Sequence, residues 1–168
     1  DKDADPIIVH PDVRKMLLTA KAYAEGARAL QIYCTLLLDT AHSHPDEKVR
    51  ADSEELVALL TPIVKAFVTD NGHIATNACM QVFGGHGFIK EWGMEQYVRD
   101  NRINMIYEGT NTIQSLDLLG RKVLGNQGAT LKKFGKLIGQ LVAEEGVNEK
   151  MAEFINPIAV LGDQMTKF

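Results

Sequence analysis

The sequence contains few cysteines, and this shortage excludes a disulfide-stabilised scaffold. Cys34 and Cys79 are the two cysteines in 168 residues, and both lie in apolar helical contexts. That setting predicts free thiols in a reducing compartment, either the cytosol or the matrix, and of the two we expect a cytoplasmic protein. None of the five histidines has a partner at the spacing of a metal-binding motif, so no metal site is predicted. A Cys–His nucleophile pair stays open, although neither cysteine lies in a recognisable catalytic motif.

Basic residues are also scarce relative to acidic ones. The formal net charge is −4, so the chain lacks the positive excess that binds phosphate backbones, and no nucleic-acid partner is expected. No apolar run approaches the roughly 18 residues of a membrane span, and the first residues lack the pattern of a signal peptide. With 45% hydrophobic and 24% charged residues, the composition is typical of a soluble globular protein.

Strand-like alternation is absent over any useful length, and apolar residues recur instead at intervals of three and four. This period predicts helices. Two long helices are expected, from Pro11 to about Ala41 and from about Asp46 to Val82. Pro62 lies inside the second one, so we expect a kink or a break there. A short amphipathic helix is predicted around residues 94–103.

The remaining helices complete an all-α pattern. One is predicted after an N-cap at Thr110 or Asn111, with Gly125 as its stop signal. Two more follow, and the last has no stop signal. We therefore predict an antiparallel four-helix bundle over residues 1–125 and an additional C-terminal helical pair over residues 126–168. The missing stop signal indicates that the chain is cut within the last helix.

Two segments depart from ordinary helical sequence, and the first is "MQVFGGHGF" at residues 80–88. Its glycines, Gly84, Gly85 and Gly87, are consistent with a helix C-cap and a tight turn. A functional interpretation is equally open, because glycines let a ligand approach backbone N–H groups. The helix-to-loop context fits neither a Walker loop nor a strand-to-helix dinucleotide-binding turn.

The second segment is "MIYEGTNTIQ" at residues 105–114, in which Glu108 follows an apolar run and precedes Gly109. One interpretation is structural, a first-turn carboxylate stabilised by the helix dipole. The other is a general base. The three apolar residues before Glu108 would exclude water, and desolvation makes a carboxylate a stronger base. Gly109 would then let a substrate approach closely.

Together, residues 81–114 read "QVFGGHGFIKEWGMEQYVRDNRINMIYEGTNTIQ" and closely resemble the signature of the flavin-dependent acyl-CoA dehydrogenases. The pattern is Gln-x-x-Gly-Gly-x-Gly-Phe, then an Arg-Asp pair, then Ile-Tyr-Glu-Gly-Thr, at matched spacing. The match is sharp over residues 81–125, and the flanking helices look most like those of the large bacterial members. The resemblance implies the C-terminal four-helix bundle of such an enzyme, followed by the start of the extension found in large members.

The resemblance also implies roles for individual residues. Glu108 is expected to remove the α-proton of an acyl-CoA thioester, and Gly109 to lie against the thioester. A hydride then passes from the β-carbon to FAD, leaving a trans-2-enoyl-CoA. The residues expected to contact an FAD held by the neighbouring subunit are Gln81, Val82, Phe83, Gly84 and Gly85. Thr110 and Thr112 are expected to contact the FAD held by their own chain, although many members carry Gln at the position of Thr112.

In this family the bundle forms the subunit interface, so the resemblance implies a homodimer or tetramer. It also implies an electron-transfer flavoprotein or a similar protein as electron acceptor. The chain alone is expected to show little or no turnover, because the family's middle β domain and most of the substrate cavity are absent. Two alternatives stay open, namely an acyl-CoA oxidase and a non-catalytic helical assembly module of the same fold. A DNA-associated relative is disfavoured by the acidic balance.

Overall fold

The computed structural model describes residues 3–165, and within this range it contains helices and no β-strand. The predicted all-α class is therefore confirmed. The α-helices are α1 (Pro11–Ser43), α2 (Glu47–Val82), α3 (Gly85–Phe88), α4 (Met94–Arg102), α5 (Asn111–Leu116), α6 (Ala129–Glu145) and α7 (Ala152–Met165). Short 3-10 turns are formed by Ile7–Val9, Lys90–Trp92, Ile103–Met105, Leu124–Asn126 and Glu149–Met151. None of the helices described is both long and apolar enough to cross a membrane.

The two long helices begin and end at signals carried by the local sequence. Pro11 occupies the first turn of α1, where its missing N–H costs no hydrogen bond. α1 ends just before His44, whose backbone is extended because the following Pro45 disfavours helical geometry there. Asp46 caps α2 by accepting hydrogen bonds from backbone N–H groups two and three residues ahead, at 2.8 and 3.3 Å. Such a cap contributes about 1 kcal/mol.

α2 is the central helix of the first compact unit, Asp1–Leu118. It packs along α1 and also contacts α3, α4 and α5. Its apolar core side chains, each at most 8% exposed, are Leu56, Val57, Leu59 and Leu60. Burial of each one stabilises the fold by roughly 1.5–3 kcal/mol, so α2 organises the unit. The helix continues through Pro62 without a break.

The helix predicted between Thr110 and Gly125 is not one regular α-helix. The Thr110 hydroxyl caps α5 by accepting a hydrogen bond from the backbone N–H of Ile113 at 3.4 Å, as the capping pattern predicted. After α5 the chain continues as a π-helical segment, Asp117–Val123. A 3-10 turn then leads to Gln127 and Gly128, which are both left-handed.

The second compact unit is Leu119–Phe168. Its helices α6 and α7 pack against each other, and Ile155 of α7 is buried, with 3% exposure. The domain boundary placed between residues 125 and 126 stays a prediction, as does the four-helix arrangement of residues 1–125. The last part of the predicted helical pair, residues 166–168, lies outside the described residues.

Candidate functional site

Glu108 lies in the loop between the 3-10 turn Ile103–Met105 and α5. Its backbone is left-handed, with φ of 54°, and Gly109 follows with φ of 85°. A left-handed conformation costs a residue with a side chain about 1–2 kcal/mol. Such strain persists where surrounding contacts enforce it, and it is concentrated at functional sites. The loop that carries the predicted base is therefore held in a costly conformation.

The Glu108 side chain lines an open cavity of about 440 Å³ between α1, α2 and its own loop. Apolar lining residues include Leu38, Val57, Val64 and Val68. Glu108 itself is exposed, and its neighbours Ile106 and Tyr107 are 47% and 50% exposed. The expected exclusion of water by these neighbours is therefore not achieved by this chain alone. Shielding of the carboxylate would need atoms from outside the chain.

Cys34 of α1 also lines this cavity. Burial raises the pKa of the Cys34 thiol, because the thiolate loses solvation there. An activated nucleophilic cysteine has a lowered pKa, so the structure does not favour a Cys–His pair at Cys34. Within residues 3–165, no group of three or more His, Cys, Asp or Glu side chains is placed to hold a metal ion.

Side chains of α2 that were not identified from the sequence tie the Glu108 loop in place. Lys65 Nζ donates hydrogen bonds to the carbonyl of Gly109 at 2.7 Å and to Asn111 Oδ1 at 2.9 Å. Asn111 Nδ2 donates to Asp70 Oδ1 at 2.6 Å. The available signal was polar residues in the otherwise apolar stretch "PIVKAFVTD". Their partners are more than 40 positions away, so spacing could not identify them.

The glycine-rich segment forms the end of α2 and the short helix α3. Gly84 has φ of 60° and ψ of −144°, a conformation that in practice needs glycine. An added Cβ at Gly84 or Gly85 would meet nothing within 4 Å, whereas one at Gly87 would clash with the carbonyl of Met80. Gly87 is therefore required for packing, and Gly84 and Gly85 leave the backbone open to a ligand.

The residues predicted to contact FAD lie on two separate surfaces. Gln81, Phe83, Gly84 and Gly85 are exposed and Val82 is half-buried, while Thr110 and Thr112 are exposed beside the Glu108 loop. The helical stretch from Lys65, which contacts that loop, to Gln81 spans 16 positions, or about 24 Å of helix. Exposed backbone and hydroxyl groups fit a cofactor that lies against this chain rather than inside it.

Comparison with known proteins accounts for this combination of features. Residues 1–124 match the family model for the C-terminal domain of acyl-CoA dehydrogenases. The chain belongs to the acyl-CoA dehydrogenase family. The resemblance noted in residues 81–114 is thereby confirmed.

Several curated acyl-CoA dehydrogenases are similar to this chain. The 3-methylmercaptopropionyl-CoA dehydrogenase of Ruegeria pomeroyi is 46% identical over 143 residues, covering 85% of this chain and 24% of the relative. A butyryl-CoA dehydrogenase of Syntrophomonas wolfei is 36% identical over 159 residues, covering 91% of this chain and 26% of the relative. A broad-specificity linear acyl-CoA dehydrogenase of Mycobacterium tuberculosis is 34% identical over 154 residues, covering 90% of this chain and 25% of the relative. The chain therefore spans about a quarter of the length of the curated relatives it matches.

Proposed function

We propose that this acyl-CoA dehydrogenase domain supplies the catalytic base of an FAD-dependent enzyme that converts acyl-CoA thioesters to trans-2-enoyl-CoA. The observation that carries the proposal is the position of Glu108 in the wall of a largely apolar cavity of about 440 Å³. Apolar walls with a few convergent polar groups are the usual form of a small-molecule site. An acyl chain suits the apolar walls, and a carboxylate at the cavity edge suits proton transfer.

The reaction needs more than a carboxylate, because the α-proton of a thioester is weakly acidic. Glu108 would take this proton on a carboxylate oxygen, and Gly109, which has no side chain, would leave room for the thioester. The enolate-like charge must be stabilised as it develops. Because Glu108 is exposed in this chain, bound substrate and neighbouring domains would have to exclude water and so strengthen the base. FAD, when bound, supplies the acceptor for the hydride from the β-carbon.

The residues proposed to contact FAD are divided between the two surfaces described above. We propose that the segment from Gln81 to Gly85 contacts an FAD held by a neighbouring subunit, and that Thr110 and Thr112 contact the FAD of their own chain. Support comes from the exposure of these residues other than the half-buried Val82, and from the aromatic residue Phe83, which is 47% exposed. A homodimer or tetramer follows from this arrangement. An electron-transfer flavoprotein or similar acceptor, and a cytoplasmic location, complete the proposal.

Neither alternative is favoured by a specific observation. An acyl-CoA oxidase would use the same base, but the similar curated proteins described above are named dehydrogenases. A non-catalytic assembly module would have no use for a carboxylate that a strained backbone places in a cavity wall.

The proposal is tested in the full-length flavoprotein by replacing Glu108 with Gln. Butyryl-CoA and 3-methylmercaptopropionyl-CoA are added without oxygen, and loss of the visible flavin absorbance is followed. We expect the rate to fall by at least about 100-fold in E108Q, as for loss of a general base, with FAD content unchanged. Glu144→Gln, at an exposed glutamate of α6, is the matched control and should react like the wild type. Undiminished bleaching in E108Q would assign the base elsewhere, and no bleaching in any variant would favour the non-catalytic module.

A further inference from the structure

The carbonyl of Gly109 is the point at which the Glu108 loop is fixed to the rest of the first unit. It accepts one hydrogen bond from Lys65 Nζ at 2.7 Å and another from Gln114 Nε2 at 3.2 Å. Gln114 belongs to α5, directly after the loop, whereas Lys65 reaches across from α2, 44 positions away in sequence. Lys65 is therefore the long-range partner of this carbonyl.

A second contact from Lys65 holds the residue that begins α5. Its ammonium group donates to Asn111 Oδ1 at 2.9 Å. The Asn111 amide donates in turn to Asp70 Oδ1 at 2.6 Å and to Thr69 Oγ1 at 3.1 Å. Lys65, Thr69 and Asp70 of α2 thus fix Gly109 and Asn111, the first and third residues after Glu108. These contacts fix the chain just after Glu108, where they can enforce the left-handed backbone at Glu108 and Gly109.

The chemistry of this position suits lysine. An ammonium group has three donors and no acceptor, so it can bond to two oxygens at once. Hydrogen bonds from a charged donor are shorter and stronger than neutral ones. Lys65 is half-buried and lines the same cavity as Glu108, but the bonds that the structure shows from its ammonium group go to Gly109 and Asn111.

We propose that Lys65 is a positioning residue for the reaction: it acts through the Gly109 carbonyl and Asn111 to hold the Glu108 carboxylate where it meets the substrate α-proton. The inference rests on the proposed function of Glu108. It adds Lys65, a residue of α2 outside the Glu108 loop. Loss of the Lys65 side chain would displace the base without removing it. A displacement of about 1 Å in a reacting group can lower a rate by roughly 100-fold.

The experiment uses the full-length flavoprotein with Lys65→Met, which keeps an apolar stem of similar length and removes the donors. Lys65→Arg retains a charged donor of different shape, and Lys136→Met, at an exposed lysine of α6, is the matched control. Three quantities are measured with butyryl-CoA and its α-deuterated form: FAD per chain, the limiting rate of anaerobic flavin reduction, and the half-saturating concentration.

For K65M we expect the limiting rate to fall about 10- to 100-fold, the scale set by a small misplacement. FAD content should be unchanged and the half-saturating concentration should stay within about 3-fold, because positioning rather than binding is lost. The α-deuterium isotope effect should increase, since proton abstraction becomes more fully rate-limiting. K65R should fall between K65M and the wild type, and K136M should match the wild type.

A wild-type rate in K65M would overturn the proposal, and so would loss of FAD from a folded K65M protein, which would show a general structural role. If K65M does not fold, K65R decides: a lowered limiting rate with full FAD supports positioning, and a wild-type rate contradicts it. The E108Q variant separates this inference from the proposed function. If E108Q bleaches normally, the base itself is wrongly assigned; if E108Q is inactive while K65M is normal, the inference about Lys65 alone fails.

Discussion

Replacing Gly109 with alanine tests whether the backbone geometry beside Glu108 matters to the reaction. Gly109 has φ of 85°, and a residue with a Cβ pays about 1–2 kcal/mol in that left-handed region. The new Cβ would also lie 2.8 Å from Gln114 Nε2. Gln114 would have to move and give up its 3.2 Å hydrogen bond to the Gly109 carbonyl, which is worth about 0.5–1.5 kcal/mol net.

The two costs sum to about 1.5–3.5 kcal/mol against the observed loop conformation. At 1.4 kcal/mol for each factor of ten, the equilibrium constant that favours this conformation over its alternatives falls about 10- to 300-fold. We expect the rate of anaerobic flavin reduction by butyryl-CoA in the full-length protein to fall by up to the same factor, because the loop that carries Glu108 relaxes to another geometry.

Gly128→Ala provides the matched control for this substitution. Gly128 has φ of 75° but open space around its Cβ position, and it lies in the second unit. This variant should lose a comparable amount of stability in urea denaturation and keep the wild-type rate of flavin reduction. A G109A protein that reduces its flavin at the wild-type rate would refute the link between loop geometry and catalysis.

Two further predictions concern the glycine motif and the cavity wall. Alanine at Gly87 would place a methyl group against the carbonyl of Met80, so we expect a loss of about 1–3 kcal/mol in urea denaturation, as for overpacking. Gly85→Ala, with open space, should cost less, and equal losses would contradict the packing argument. Because burial raises the pKa of Cys34, less thiolate forms at a given pH. In a Cys79→Ala background, iodoacetamide should therefore alkylate Cys34 more slowly in the folded protein than in urea. The alkylation rate of the folded protein should also level off at a higher pH. Equal rates at neutral pH would disprove the shift.

Local signals made the helices predictable. Pro11, Asp46 and Thr110 each act within a few residues of their own position, and the structure shows helices starting at all three. The π-helical segment Asp117–Val123 was not predicted, because apolar residues at intervals of three and four do not distinguish it from an α-helix. Local sequence was also insufficient at Pro62, where a kink or a break was expected. The effect of Pro62 on α2 depends on packing as well as on its missing N–H.

The sequence by itself determined the all-α class, the helix starts and, through the spacing of its glycine and Tyr-Glu-Gly-Thr segments, the family. It also identified Glu108 as the candidate base, although its role in the reaction stays a proposal. The tertiary structure alone decided that Glu108 is exposed, that its backbone is left-handed, and that Lys65 fixes the loop. The physical reason is distance along the chain. Caps and periodicity depend on neighbours within a few residues, whereas the Lys65–Gly109 bond joins positions 44 apart and exists because α2 lies beside the loop in the folded protein.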